Sequence, residues 1–176
     1  MRIFKFKICL FGEPAVGKTS LIRRFVYDTF DERYLSTIGT KVSKKSVTLN
    51  ISGKDVRVDM MIWDIMGQES FRQLLKDAYF YGAEGLIGVA DITRKNTLLA
   101  LDEWLKEILK ITGEKPIIFV GNKYDLKENA EWGEEDLKSM AEKYNAVKYL
   151  FTSAKTGEGV EEAFVTLATK LVEKKL

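Results

Sequence analysis

Gly12-Glu13-Pro14-Ala15-Val16-Gly17-Lys18-Thr19 separates an apolar run, Ile3 to Phe11, from a stretch with helical periodicity over residues 18–28. The octet fits G-x-x-x-x-G-K-[ST], and its place between a strand and a helix is the context that gives the pattern meaning. Glycines let the backbone curl so that successive N–H groups face phosphate oxygens, and the following helix adds its positive end. In such a loop Lys18 reaches the β- and γ-phosphates and the Thr19 hydroxyl ligates Mg²⁺. The bland alternative is a plain strand-to-helix turn. The loop argues for a nucleoside triphosphate and is silent about the base.

Apolar runs and helical patterns alternate along the rest of the chain, the mark of an α/β sheet. A polar irregular stretch covers about 29–40. Val47, Leu49 and Ile51 then alternate with polar residues as a half-exposed strand, and 50–55 is turn chemistry leading into a strand over 56–63, close enough for an antiparallel hairpin. Short apolar strands follow at Leu86 to Asp91 and Ile117 to Gly121, with Leu98, Leu101, Leu105, Ile108 and Leu109 between them at helical spacing. A helix over 134–144, a strand from Val147 to Thr152 and a helix over about 158–173 complete the pattern. The expectation is a single α/β domain spanning 1–176, with six mostly parallel strands and five helices. Ligands on such sheets bind beyond the carboxyl ends of the strands.

Composition narrows the chemistry. The 176 residues hold no histidine and a single cysteine, Cys9, so no imidazole-assisted nucleophile, His-ligated metal or internal disulfide can form. A lone mid-strand cysteine reads as a small buried hydrophobe in a reducing, cytoplasmic setting. Lys and Arg number 28 against 26 Asp and Glu; a net +2 gives no argument for nucleic acid. No apolar run approaches the length of a membrane span. No terminal cysteine or Gly after Met1 offers a lipid attachment point, so either the sequence is trimmed or the protein works without a covalent anchor.

Further motifs sit where strands end. Asp64, in Asp64-Ile65-Met66-Gly67-Gln68-Glu69, is placed to steady magnesium, Gly67 can bring its N–H close to a γ-phosphate, and Gln68 can orient a water. In Asn122-Lys123-Tyr124-Asp125 the aspartate could accept two hydrogen bonds from guanine that adenine cannot offer, a discrimination buried sites make well. Thr152-Ser153-Ala154-Lys155 could set a backbone N–H against the guanine carbonyl.

With these motifs in order, the sequence resembles the Ras superfamily of small GTPases, and its Rab branch most closely. Ser36-Thr37-Ile38-Gly39, Ile62-Trp63-Asp64, Tyr81-Gly82-Ala83 and Asp91-Ile92-Thr93 carry the Rab flavour. The resemblance implies a P-loop GTPase fold with one antiparallel edge strand, binding GTP or GDP with Mg²⁺. It gives Thr37 a hydroxyl on Mg²⁺ and an amide on the γ-phosphate, and makes Thr19, Thr37 and Asp64 the metal residues. Catalysis falls to Gln68, Lys18 and Thr37. Glu13, Ala15, Val16, Gly17, Lys18, Thr19 and Ser20 line the phosphates, with Tyr34 closing over them and Gly67 facing the γ-phosphate. Phe30, Asn122, Lys123, Asp125, Ser153, Ala154 and Lys155 surround the guanine. Segments around 30–40 and 65–80 would order and release with the γ-phosphate, read by effector, exchange-factor and GTPase-activating partners, through which the protein would reach a membrane periphery. On residues alone, Phe30 and Tyr34 can be loop aromatics and Ser20 a plain helix residue. Trp63, Phe71, Tyr79, Phe80 and Tyr81 read as core packing, with a partner-reading surface as the alternative.

The sequence departs from the family at several places. Ile65 and Met66 stand where Rab proteins usually carry Thr-Ala, and a thioether beside the γ-phosphate is expected to slow switching or hydrolysis. Pro14 and Ala15 replace frequent glycines, and Pro14 has no N–H to offer phosphate. The segment from Gln68 to Gly82 is about one residue longer than usual. No arginine lies in the phosphate loop, and Arg33 is poorly spaced to serve, so intrinsic turnover is expected to be slow and a partner to accelerate it by roughly 10³–10⁵. The competing expectation is a nucleotide-dependent binding module in which Ile65 and Met66 impair hydrolysis; a metabolic kinase would need an acceptor lid for which the chain has no room.

Overall fold

The computed structural model describes residues 1–30, 40–65 and 76–176. Its elements are β1 (Arg2–Phe11), α1 (Lys18–Tyr27), β2 (Thr40–Ile51), β3 (Lys54–Ile65), β4 (Gly85–Asp91), α2 (Lys95–Thr112), β5 (Ile117–Asn122), α3 (Glu134–Lys143), β6 (Lys148–Phe151) and α4 (Val160–Lys175). Residues 76–80 are also helical, and Tyr124–Asn129 form a 3₁₀ turn. The six strands lie in the order β2-β3-β1-β4-β5-β6. All neighbours are parallel except β2 and β3, which pair antiparallel from Thr40↔Ile65 to Ile51↔Lys54 across a turn whose Ser52 and Gly53 both have positive φ.

Period-two alternation divides the core. Phe4, Phe6, Ile8 and Leu10 of β1 face one side of the sheet with Val58, Met60 and Ile62 of β3, where α1 and α4 cover them. Cys9 and Phe11 face the other side, under α2 and α3. Each helix supplies the matching apolar stripe: Leu21, Ile22 and Phe25 in α1, Leu101, Leu105 and Ile108 in α2. Phe25 stacks on Phe164 of α4 with ring centroids 4.3 Å apart, which locks α1 to the last helix.

Strand β2 starts at Thr40, ahead of the alternation at Val47, inside what the sequence presents as irregular chain. The aromatic group splits: Tyr79 and Phe80 are buried as expected, whereas Tyr81 is 77 % exposed. Lys7 donates to the Tyr81 carbonyl and lies 3.9 Å from the centroid of the half-buried Trp63 ring. Phe71 lies outside the described residues. Cys9 is fully buried, and burial pushes its thiol up to about 12, so it is inert packing. Among the described residues, no helix is long and apolar enough to cross a membrane.

Candidate functional site

Among the described residues, Gly12 to Thr19, Asp64, Asn122 to Asp125 and Thr152 to Lys155 lie at or just beyond the carboxyl ends of β1, β3, β5 and β6. The loop after β1 turns on Gly12 (φ +143) and Gly17 (φ +104), and neither position accepts a side chain. A Cβ on Gly12 would stand 2.3 Å from the Val89 carbonyl oxygen, and one on Gly17 would stand 2.2 Å from Nδ2 of Asn122. Ala15 takes a left-handed φ of 63°, a conformation that costs a residue with a Cβ about 1 kcal/mol. Lys18, buried at the first turn of α1, donates from Nζ to the Gly12 and Glu13 carbonyls at 2.9 and 3.0 Å. Its ammonium therefore sits over the loop it belongs to, where a phosphate would also lie.

The next residue, Thr19, donates its hydroxyl to Oδ2 of Asp64, the buried penultimate residue of β3. Two hard oxygen donors from separate elements thus meet beside the phosphate loop. Such a pair suits Mg²⁺, which keeps several waters and takes few protein ligands when substrate phosphates complete its shell. The described residues contain no group of three or more His, Cys, Asp or Glu of the kind an all-protein cage would need. Ile65 packs in the core with Tyr79, Phe80 and Phe11, on the side of β3 opposite Asp64. Its side chain is a core residue and does not crowd the phosphate site; Met66 lies outside the described residues, as do Tyr34, Thr37, Gly67, Gln68 and Arg33.

Asn122 ties the two halves of the site together. Nδ2 donates to the Val16 carbonyl of the phosphate loop at 2.9 Å, and Oδ1 accepts from the Thr152 hydroxyl at 3.0 Å. Lys123 follows with a left-handed φ of 69°, which swings Nζ to 2.9 Å from Oδ2 of Asp91. Asp125 accepts from the Ser153 hydroxyl at 2.7 Å, joining the loops after β5 and β6. Ala154 is buried beside them, and Lys155 is exposed. Ser20 is half-buried on α1, and Phe30 packs its partly buried ring against the core beneath α1.

Sequence reasoning singled out Asp91 only as a family marker, yet it organises this edge. At 1 % exposure its carboxylate receives Lys123, Arg94 Nε at 3.1 Å, and both the amide and hydroxyl of Thr93. Burial pushes its carboxyl up, but Lys123 and Thr93 outweigh that and hold it below the ordinary range. Arg94 also donates from Nη2 to the Pro14 carbonyl at 3.0 Å, and Trp104 Nε1 donates to Glu13 Oε1 at 3.0 Å. The outer limb of the phosphate loop is thereby fastened to α2. On the opposite flank Arg24 of α1 reaches the Ala154 and Lys155 carbonyls. No short motif announces these contacts, because their partners lie far away in sequence.

The arrangement offers a curled loop with a buried lysine, a hydroxyl–carboxylate pair suited to a hard cation, and the polar side chains of Lys123 and Asp125 on a loop joined through Ser153 to the buried Ala154. The model of the Ras family matches residues 7–173. The chain is similar to Ras-related protein Rab-21 of Bos taurus, 38 % identical over 173 residues that cover 98 % of this chain and 75 % of the relative. Rab-21 of Homo sapiens is likewise 38 % identical over 98 % of this chain and 74 % of its own length, and that of Mus musculus is 37 % identical.

Proposed function

The chain belongs to the Ras family of small GTPases, on its Rab branch, and from that membership we propose that it is a GTP-binding switch that hydrolyses GTP slowly to GDP and phosphate. The observation that carries the reading is the Asn122 side chain, which bonds the phosphate loop at Val16 and the base-side loop at Thr152, so phosphate and base recognition share one buried support.

In this reading the amides of Glu13 and of Ala15 to Thr19 cradle the phosphates, Ser20 adds a contact at the α-phosphate, and Lys18 turns from its own carbonyls to the β- and γ-phosphates. Asp125 accepts from the guanine N1–H and amine, Lys123 lies along the ring with Asp91 fixing its position, and the Ala154 amide donates to the carbonyl. Phe30 edges the base and Tyr34 covers the phosphates. Thr19, Thr37 and Asp64 would hold Mg²⁺, which when bound supplies neutralisation of phosphate charge. Gln68 orients the attacking water, and the loop amides with Lys18 stabilise charge as the γ-phosphoryl departs. Segments 30–40 and 65–80 then carry the nucleotide state to effector, exchange and activating proteins. Its place is cytoplasmic, with membrane association through partners.

The test is GTP turnover by purified protein in the presence of Mg²⁺, with Gln68→Leu as the comparison. Slow loss of the γ-phosphate in the parent, reduced in Gln68→Leu while nucleotide stays bound, is expected. Turnover at the parent rate in that variant removes Gln68 from its role. A parent that holds GTP for hours without loss of γ-phosphate is instead a binding module.

A further inference from the structure

Arg24 lies in the second turn of α1, outside every motif that the sequence singles out, yet its guanidinium uses each of its nitrogens. Nε donates to the Ala154 carbonyl at 2.8 Å and Nη2 to the Lys155 carbonyl at 2.7 Å. Nη1 meets Oδ1 of Asp28, the left-handed residue that ends α1 two positions before Phe30. The side chain is 19 % exposed and passes 3.7 Å from where a Cβ on Gly157 would stand. The helix that carries it is fixed to α4 by the Phe25–Phe164 stack. A planar fork bridging two consecutive carbonyls fixes the Ala154–Lys155 and Lys155–Thr156 peptides together, which a single-point donor cannot do.

We propose that Arg24 is a positioning residue for guanine recognition: by gripping the Ala154 and Lys155 carbonyls it anchors the chain immediately after the Ala154 N–H and so keeps that N–H on the base carbonyl oxygen. This rests on the guanine-nucleotide reading above and adds to it a residue that never touches the nucleotide. The effect falls mainly on one edge of the base. Asp125, which reads the N1–H and amine, is held by the Ser153 hydroxyl, which Arg24 reaches only at second hand, through the Lys155–Thr156 peptide whose N–H donates to that hydroxyl. Loss of Arg24 therefore weakens the carbonyl contact selectively, whereas general loosening of the fold weakens all nucleotides alike.

The test is competition binding of GDP, 6-thio-GDP and IDP to the full chain, with melting temperature as a fold control. 6-Thio-GDP replaces the base carbonyl oxygen by a poorer acceptor, and IDP lacks the exocyclic amine. In the parent one hydrogen bond corresponds to a preference of roughly 3- to 10-fold for GDP over 6-thio-GDP. Arg24→Ala is expected to bring that ratio below about 2-fold, the loss of most of one such bond, while GDP over IDP keeps its parent ratio. Arg24→Lys, which reaches one carbonyl only, should fall between, and it carries the test if Arg24→Ala does not fold. Asp28→Ala should leave both ratios unchanged, since that carboxylate is 89 % exposed. An unchanged GDP to 6-thio-GDP ratio in Arg24→Ala and Arg24→Lys, or equal loss for all three nucleotides, overturns the proposal alone. A parent that binds no guanine nucleotide overturns the underlying reading and this inference with it.

Discussion

Asn122→Ala isolates the support shared by the phosphate and base loops. The parent side chain is 2 % exposed, and both of its partners, the Val16 carbonyl and the Thr152 hydroxyl, belong to residues with no exposure at all. Truncation leaves each partner buried without this bond, at about 1–3 kcal/mol apiece, so a total near 3 kcal/mol is expected. A domain of this size loses about 2–4 °C of melting temperature per kcal/mol, which makes the shift roughly 6–12 °C. Thr152→Val removes only the second bond and should cost about 1–2 kcal/mol. Because both variants delete that bond, the double variant should cost about 1 kcal/mol less than the sum. Denaturant unfolding of all four proteins at one fixed nucleotide concentration measures this, since bound ligand itself adds stability. A cost below about 0.5 kcal/mol for Asn122→Ala, or strict additivity with Thr152→Val, refutes the bridge as an energetic element.

Ala15→Gly removes the Cβ from a left-handed position and should raise stability by up to about 1 kcal/mol, less the entropy that glycine gains when unfolded; an unmoved denaturation midpoint refutes strain there. The Asp102 carboxyl is held down to about 2 by the hydrogen bond from Lys143, then by those from Tyr144 and Lys106, against the opposing effect of burial. Its folded value lies below its unfolded one, so the contribution is complete above about pH 4 and disappears as pH falls from about 4 to 2. Allowing for partial exposure it amounts to about 1–2 kcal/mol, and Asp102→Asn should flatten the stability profile in that window. Finally, Ile65→Thr should cost about 1–2 kcal/mol of stability with turnover unchanged, while Met66→Ala should raise turnover. Equal GTP turnover in parent and Met66→Ala would end the idea that this thioether slows hydrolysis.

Much of the candidate site was readable because its residues lie in contiguous stretches. A phosphate cradle needs its glycines and lysine within one loop, so Gly12 to Thr19 declares itself; Asp64, Asn122 to Asp125 and Thr152 to Lys155 follow because each ends an apolar strand. The reading stopped where one residue serves another across the fold. Arg94 meets Pro14 across 80 positions, Trp104 meets Glu13 across 91, and Arg24 meets Ala154 across 130, with no local pattern to mark any of them. The first half of β2 was missed for a different reason. Thr40-Lys41-Val42-Ser43-Lys44-Lys45-Ser46 has no apolar alternation because this edge strand is mostly exposed there, and it is the ladder to β3 that holds it extended. Ile65 misled in the opposite direction: its place beside a catalytic motif suggested chemistry, but strand alternation turns it into the core.

The register of that ladder has a mechanical consequence. Thr40, the first residue of β2, stands opposite Ile65, the last residue of β3. Paired antiparallel residues lie only about 4.5–5.5 Å apart, so the two segments proposed to carry the nucleotide state join the same rung of one hairpin. A tug on either root is a tug on both, and a partner grasping one segment holds the handle of the other.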